Sequence, residues 1–239
     1  MKKYFLLTVL FSMQCFLFIT NSIAQDARAN NIADSVMIAM GGKQNWDNTH
    51  FIKWTFFGRR TLLWDKYTGN VRIEIPAKQL IILTNINTKQ GKVFRNKIEL
   101  TQADSNAYFM DRGYKIWAND SYWLLMPFKL KDQGVTISYE GTEKDSSNNS
   151  CYVLQLTFNK VGVTPDNKYH IFVDRKTYLV TQWAFFEKFS DAIPEFIDSW
   201  NNYERYGNIL LSGDRGKYDG KLTDIAVMDA MSQELFEKP

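Results

Sequence analysis

Cysteine and histidine are nearly absent, with two of each in 239 residues. Cys15 lies inside an apolar leader and lacks the aliphatic-then-small approach of a lipidated cysteine. Cys151 is therefore the only thiol after the leader, and no internal disulfide is available. His50 and His170 sit in unrelated segments with no second nitrogen or sulfur ligand at metal spacing, which argues against a zinc site. No Gly-x-Ser-x-Gly elbow occurs, and no phosphate-cradling glycine loop precedes a helix. Charge of one sign is missing as well. Losing Lys2 and Lys3 with the leader leaves 27 basic residues against 26 acidic ones, without the sustained basic face that nucleic acid requires. Beyond the leader no run is apolar enough to span a bilayer.

The leader itself reads as a secretory signal peptide over residues 1–24. Lys2 and Lys3 form its charged start, Tyr4 to Ile19 its apolar run, and Ser22-Ile23-Ala24 a small-x-small cleavage site. The expected location of the mature chain is periplasmic or secreted, with the cut after Ala24. Residues 25–239 are long enough to bury an ordinary hydrophobic core as one domain.

Ala29, Ile32, Val36, Ala39 and Met40 recur at helical spacing over Asp26 to Met40, and Gly41-Gly42 supplies the stop. Strand patterns follow. Val71, Ile73 and Ile75 alternate with charged residues; Val135, Ile137 and Tyr139 do so with polar ones, as do Tyr152, Leu154, Leu156 and Phe158. Short polar turns at Lys66–Asn70 and Asp174–Thr177 join neighbouring strands. One helix interrupts the series: Ala103, Ala107, Met110, Tyr114 and Trp117 share a face that extends to Leu124 before Pro127. The pattern predicts a mainly β (α+β) chain. Its expected form is a curled antiparallel sheet or half-open β-barrel of about eleven strands, with an N-terminal helix and a helical lid over its mouth.

What the chain has in abundance is aromatic residues, including seven tryptophans. All seven lie after the leader. Such rings either fill a barrel as inert core or line a cavity, and composition leaves both open. In the cavity reading, Met110, Tyr114, Trp117, Trp123, Leu124, Leu125, Met126 and Phe128 belong to the lid and its hinge. Trp54 and Trp64 line the sheet, and Lys129, Lys131 and Arg72 stand at a rim for an anionic head group. Leu125→Asp or Met126→Asp is then expected to weaken acyl binding without unfolding the chain. No catalytic residue, metal or cofactor is expected. Cys151 reads as a small buried residue, and carboxylate pairs such as Asp198/Glu204 or Glu187/Asp191 carry no signal without geometry.

Four stretches together carry a family resemblance: Gly41-Gly42 with Trp46, WLLMPFKLKDQGV, YHIFVDRKTYLVTQW and WNNYERYGNILLS. They resemble an uncharacterised family of exported bacterial proteins similar to the outer-membrane lipoprotein-sorting carriers of the LolA and LolB type. The resemblance implies an incomplete barrel with helices as a lid around a cavity for acyl chains. It also implies a lipid or acylated ligand, an outer-membrane or lipoprotein partner, and a barrel arginine that holds the lid closed. Arg59, Arg60 and Arg72 lie in the corresponding strands. The alternative is a filled-barrel envelope protein that docks onto an outer-membrane complex.

Overall fold

The computed structural model describes residues 27–159, 162–216 and 220–239. The signal peptide, its cleavage site, Cys15 and Asp26 lie outside the described residues. Helix α1 spans 27–39 and buries Ala29, Ile32, Ala33 and Val36, with Met40 buried just past its end. Its last turn closes when the N–H groups of Gly41 and Gly42 donate to Ile38 and Met37 carbonyls at 3.1 and 2.9 Å. Gly41 has φ +119°, and a Cβ there would sit 2.5 Å from the Asn208 carbonyl oxygen. Only glycine lets the helix end so close to that turn. A short helix α2, Lys43–Asn48, follows at a place where the sequence pattern shows no helix.

Fourteen antiparallel strands are found among the described residues. Strands β1 (Phe51–Phe56), β2 (Arg60–Asp65), β3 (Asn70–Ile75), β4 (Leu80–Asn85), β5 (Gly91–Arg95) and β6 (Ile98–Glu99) run as a meander. Strand β14 (Leu222–Met228) returns from the far end of the chain to pair with β1, completing a seven-stranded sheet. A second meander contains β7 (Val135–Lys144), β8 (Ser150–Phe158), β9 (Lys168–Asp174), β10 (Val180–Phe186) and β11 (Phe196–Ser199). Strands β12 (Glu204–Tyr206) and β13 (Ile209–Leu211) form a separate hairpin. The barrel expectation is corrected to this extent: the strands form separate sheets, and no closed barrel is formed among the described residues.

Three hairpin turns repeat one device. Asp65 Oδ1 accepts the N–H groups of Tyr67 and Thr68, Asn85 Oδ1 those of Asn87 and Thr88, and Asp174 Oδ1 those of Lys176 and Thr177. In each turn the threonine hydroxyl then accepts from the N–H two residues further on, at 3.3 to 3.4 Å. These local bonds satisfy turn amides that no ladder reaches, and they set the register of the strands on either side.

Helix α3, Ala103–Leu125, lies against β4 and β5 of the larger sheet. Its first two residues are exposed. Its buried side contains Phe109, Met110, Gly113, Asp120, Ser121, Leu124 and Leu125. A Cβ on Gly113 would lie 3.0 Å from Ile82 Cγ2 and 3.1 Å from Thr84 Cγ2, so its absence sets how closely the helix sits on the sheet. One apolar core runs continuously from α1 through both sheets to α3 and holds Trp54, Trp64, Trp183 and Trp200. Cys151, Val153, Phe172, Ala184 and Phe186 form a smaller cluster on the smaller sheet.

Candidate functional site

The concave site lies on the flank of α3 away from β4. Tyr114, Trp117, Ala118, Ser121 and Tyr122 of α3 form one wall of a cleft of about 320 Å³. Val135, Phe158 and Tyr169 of the smaller sheet form the other. Asn119, Lys129, Asp132, Gln133 and the 162–164 segment supply its polar margin and mouth. Such a volume is at the small end of the roughly 300–1,000 Å³ common for small-molecule pockets. The walls are built of contacting rings. Tyr122 lies 5.4 Å from Tyr169, 6.2 Å from Phe158 and 6.0 Å from Trp183, while Trp117 meets Trp64 edge-on at 5.3 Å.

Of the residues singled out in the sequence, Tyr114, Trp117, Trp123 and Lys129 come together around this cleft. The others go elsewhere. Met110, Leu124, Leu125, Met126, Phe128, Trp54 and Trp64 are buried in the continuous core, and none of them lines the cleft. Leu124, Leu125 and Met126 are 0 % exposed, so the stretch expected to act as a pliable hinge is among the most tightly enclosed of the chain. Pro127 does end the helix there, in a 3₁₀ turn over Met126–Phe128. Phe128 then stacks on Trp46 at 4.4 Å, which fixes the turn in place.

The cationic rim also divides. Lys129 Nζ bonds Asp132 Oδ2 at 2.8 Å and sits 5.9 Å from the Trp117 ring centre, at the cleft margin. Lys131 instead pairs with Asp34 of α1 at 2.7 Å. Arg72 bonds Glu74 at 2.5 Å and the carbonyls of Leu235 and Lys238, pinning the C-terminal segment and not the cleft.

Two arginines fasten the C-terminal half of α3. Arg60 of β2 makes a two-pronged bond to Asp120, Nε to Oδ2 at 2.5 Å and Nη2 to Oδ1 at 2.6 Å. Burial pushes the Asp120 carboxyl upward from its usual pKa, against the pull of Arg60. Arg59 remains exposed. Arg215, like Asp120, is a residue the sequence reading missed. It is 1 % exposed, lies 3.6 Å from the Trp200 ring centre, and donates to the Trp123, Ser212 and Asp214 carbonyls. A cation at the last turn of a helix complements its partial negative charge. Burial lowers the Arg215 pKa to about 9. Its position in a polar stretch, LSGDRG, gives no hint of a buried partner.

The histidines have structural contacts. His50 Nε2 is 3.1 Å from Asp65 and its ring stacks between Phe51 and Tyr67. His170 packs on Phe186, and burial lowers its pKa. Cys151 is enclosed beside Thr181 and Asp145, and its thiol pKa is raised by burial.

Residues 81–234 match the model of a family of unknown function, DUF6503. The chain belongs to this family. Among solved structures, it is similar to a DUF1329 family protein from Desulfovibrio piger, with 12 % identity and a TM-score of 0.46 over 87 % of this chain and 97 % of that one. It is also similar to a LolA superfamily protein from Nitrosomonas europaea, with 13 % identity and a TM-score of 0.43 over 88 % and 97 % of the respective chains. No curated protein matches it.

Proposed function

We propose that the protein binds an acyl chain, either of a free lipid or of a lipid-modified protein, in the cleft between α3 and the smaller sheet, and that it acts as a carrier and not as a catalyst. The observation that supports this reading is a cleft of about 320 Å³ walled by Tyr114, Trp117, Tyr122, Phe158 and Tyr169 at the edge of the continuous core. Burying each methylene yields about 0.8 kcal/mol, so a short stretch of chain suffices for useful affinity. Release into a membrane or a partner returns the chain to an equally apolar place, and the small net difference suits a shuttle.

The test is a titration with a fluorescent fatty acid, together with mass spectrometry of an organic extract of the purified protein. Ala118→Trp fills the cleft from its wall and is expected to weaken binding at least about tenfold, or about 1.4 kcal/mol, with an unchanged circular dichroism spectrum. Failure of the wild type to bind, with no acyl species in the extract, sinks the reading. Recovery of a stoichiometric protein partner in that case would favour the docking alternative. We also propose export, with removal of residues 1–24. Intact mass of the protein recovered from the cell envelope or medium is expected to begin at Gln25; a mass retaining Met1 to Ala24 contradicts it.

A further inference from the structure

One end of the larger sheet gathers charge of one sign. There β1 turns into β2 at residues 57–59, β3 into β4 at 76–79, and β5 into β6 at 96–97. Strand order sets these turns in sequence along that end, two strands or about 10 Å from centre to centre. The Asn96 N–H donates to the Gln79 carbonyl at 3.0 Å and ties two of them together. With the end of β5 they present Arg59, Lys78, Arg95 and Lys97, all exposed, and the turns themselves contain no carboxylate. Among the described residues, none of these four side chains has an ion-pair or ring partner. Glu74 is taken by Arg72 at 2.5 Å, and Glu99 of β6 stands alone against the four cations. Lys97 even holds the second place of a two-residue turn at φ +64°, where glycine is the unstrained choice.

A single unpaired surface cation carries no information; the alignment of four does. At the opposite end of the sheet the turn lysines are engaged by rings, Lys66 over Trp46 at 4.9 Å and Lys89 over Tyr114 at 4.6 Å. Directly after the 96–97 turn, Ile98 is 69 % exposed. One exposed isoleucine is ordinary. Set beside four cations, it matches a surface that offers anionic groups and hydrocarbon together. Lipid headgroups diffuse, so each cation finds a phosphate without a fixed spacing, whereas a nucleic acid or an acidic helix has no place for Ile98. We propose that this end of the larger sheet docks on an anionic lipid surface, with Arg59, Lys78, Arg95 and Lys97 at headgroup level and Ile98 at the acyl boundary. The 57–59 turn also adjoins the cleft, because Phe57 meets Trp123 of its lining edge-on at 5.1 Å. The docking surface goes beyond the acyl-binding reading and does not rest on it.

The experiment is co-sedimentation with vesicles of phosphatidylcholine alone and of equal parts phosphatidylcholine and phosphatidylglycerol. The mixed vesicles are expected to bind the protein at least about tenfold more tightly. They are expected to release it at about 1 M salt, where screening acts beyond roughly 3 Å. Each cation near an anionic surface is worth about fivefold in affinity. Lys78→Gln combined with Arg95→Gln is therefore expected to weaken binding about twentyfold, and Ile98→Ser about threefold to tenfold. Lys176→Gln combined with Arg205→Gln removes the same charge from exposed positions off this end and is expected to cost less than about twofold. Circular dichroism and fatty-acid titration are expected to be unchanged in all of these variants, so this inference and the acyl-binding reading can fail separately. Equal binding or no binding to the two vesicle types overturns the inference, as does an equal loss in the control pair. Binding to soluble polyglutamate in preference to vesicles also overturns it and assigns this end to an acidic protein.

Discussion

Arg60→Ala is expected to lower the unfolding free energy by about 3–5 kcal/mol, the range for removing one partner from a buried ion pair. The reason lies in the unequal burial of the two groups. The Asp120 side chain is fully enclosed, whereas that of Arg60 is 22 % exposed. Taking away the arginine leaves a dry carboxylate with Asn119 as its remaining side-chain donor. The reverse change is milder. Asp120→Asn keeps the shape and one carbonyl acceptor, and the guanidinium it deserts can reach water; a loss of about 0.5–1.5 kcal/mol is expected, comparable to one net hydrogen bond. Urea unfolding followed by circular dichroism measures both. Equal losses would show that the pair is not the asymmetric fastening described.

The pH dependence provides a second readout of the same pair. Burial raises Asp120 even with Arg60 present, and removing Arg60 raises it further. A carboxyl raised in the folded state contributes stability that is fully present below its unfolded pKa and is lost as pH rises through the folded one. The deficit of Arg60→Ala is therefore expected to shrink on acidification and to widen toward neutral pH. A deficit independent of pH would mean that lost packing against Phe56, 4.7 Å from the guanidinium, dominates.

Much of the fold is legible in the sequence because turns and alternation are local. The alternating runs Val71 to Ile75 and Tyr152 to Phe158 fall within β3 and β8, and the long helix is read to within one residue of its observed end at Leu125. The missed strands, Ile98–Glu99 and Glu204–Tyr206, are too short to alternate. The site is less legible, because spacing shows which residues share a helix face but not which of two sheets that face meets. Met110, Gly113 and Leu124 turn toward the larger sheet and core, whereas Tyr114, Ala118 and Tyr122 turn toward the cleft. Asp120 and Arg215 escape notice for the same reason: each is polar in sequence and buried only through partners 60 and 92 residues away.

Leu125→Asp is expected to abolish the folded state, not merely to weaken binding as the sequence alone suggests. Leu125 is 0 % exposed and belongs to the continuous core. Cutting back a buried leucine costs about 2–5 kcal/mol through lost transfer energy and the cavity left behind. A carboxylate placed there adds several more, or must take up a proton to remain. Together these approach the roughly 5–15 kcal/mol that holds a domain folded. Leu125→Ala isolates the first contribution and is expected to lower stability by about 2–5 kcal/mol while leaving dye binding unchanged, because the residue touches core and not cleft. Circular dichroism and dye titration on the two variants decide the point. A folded Leu125→Asp protein that no longer binds acyl ligand would place this residue on the ligand's path and return the Trp123–Phe128 stretch to the role of a hinge.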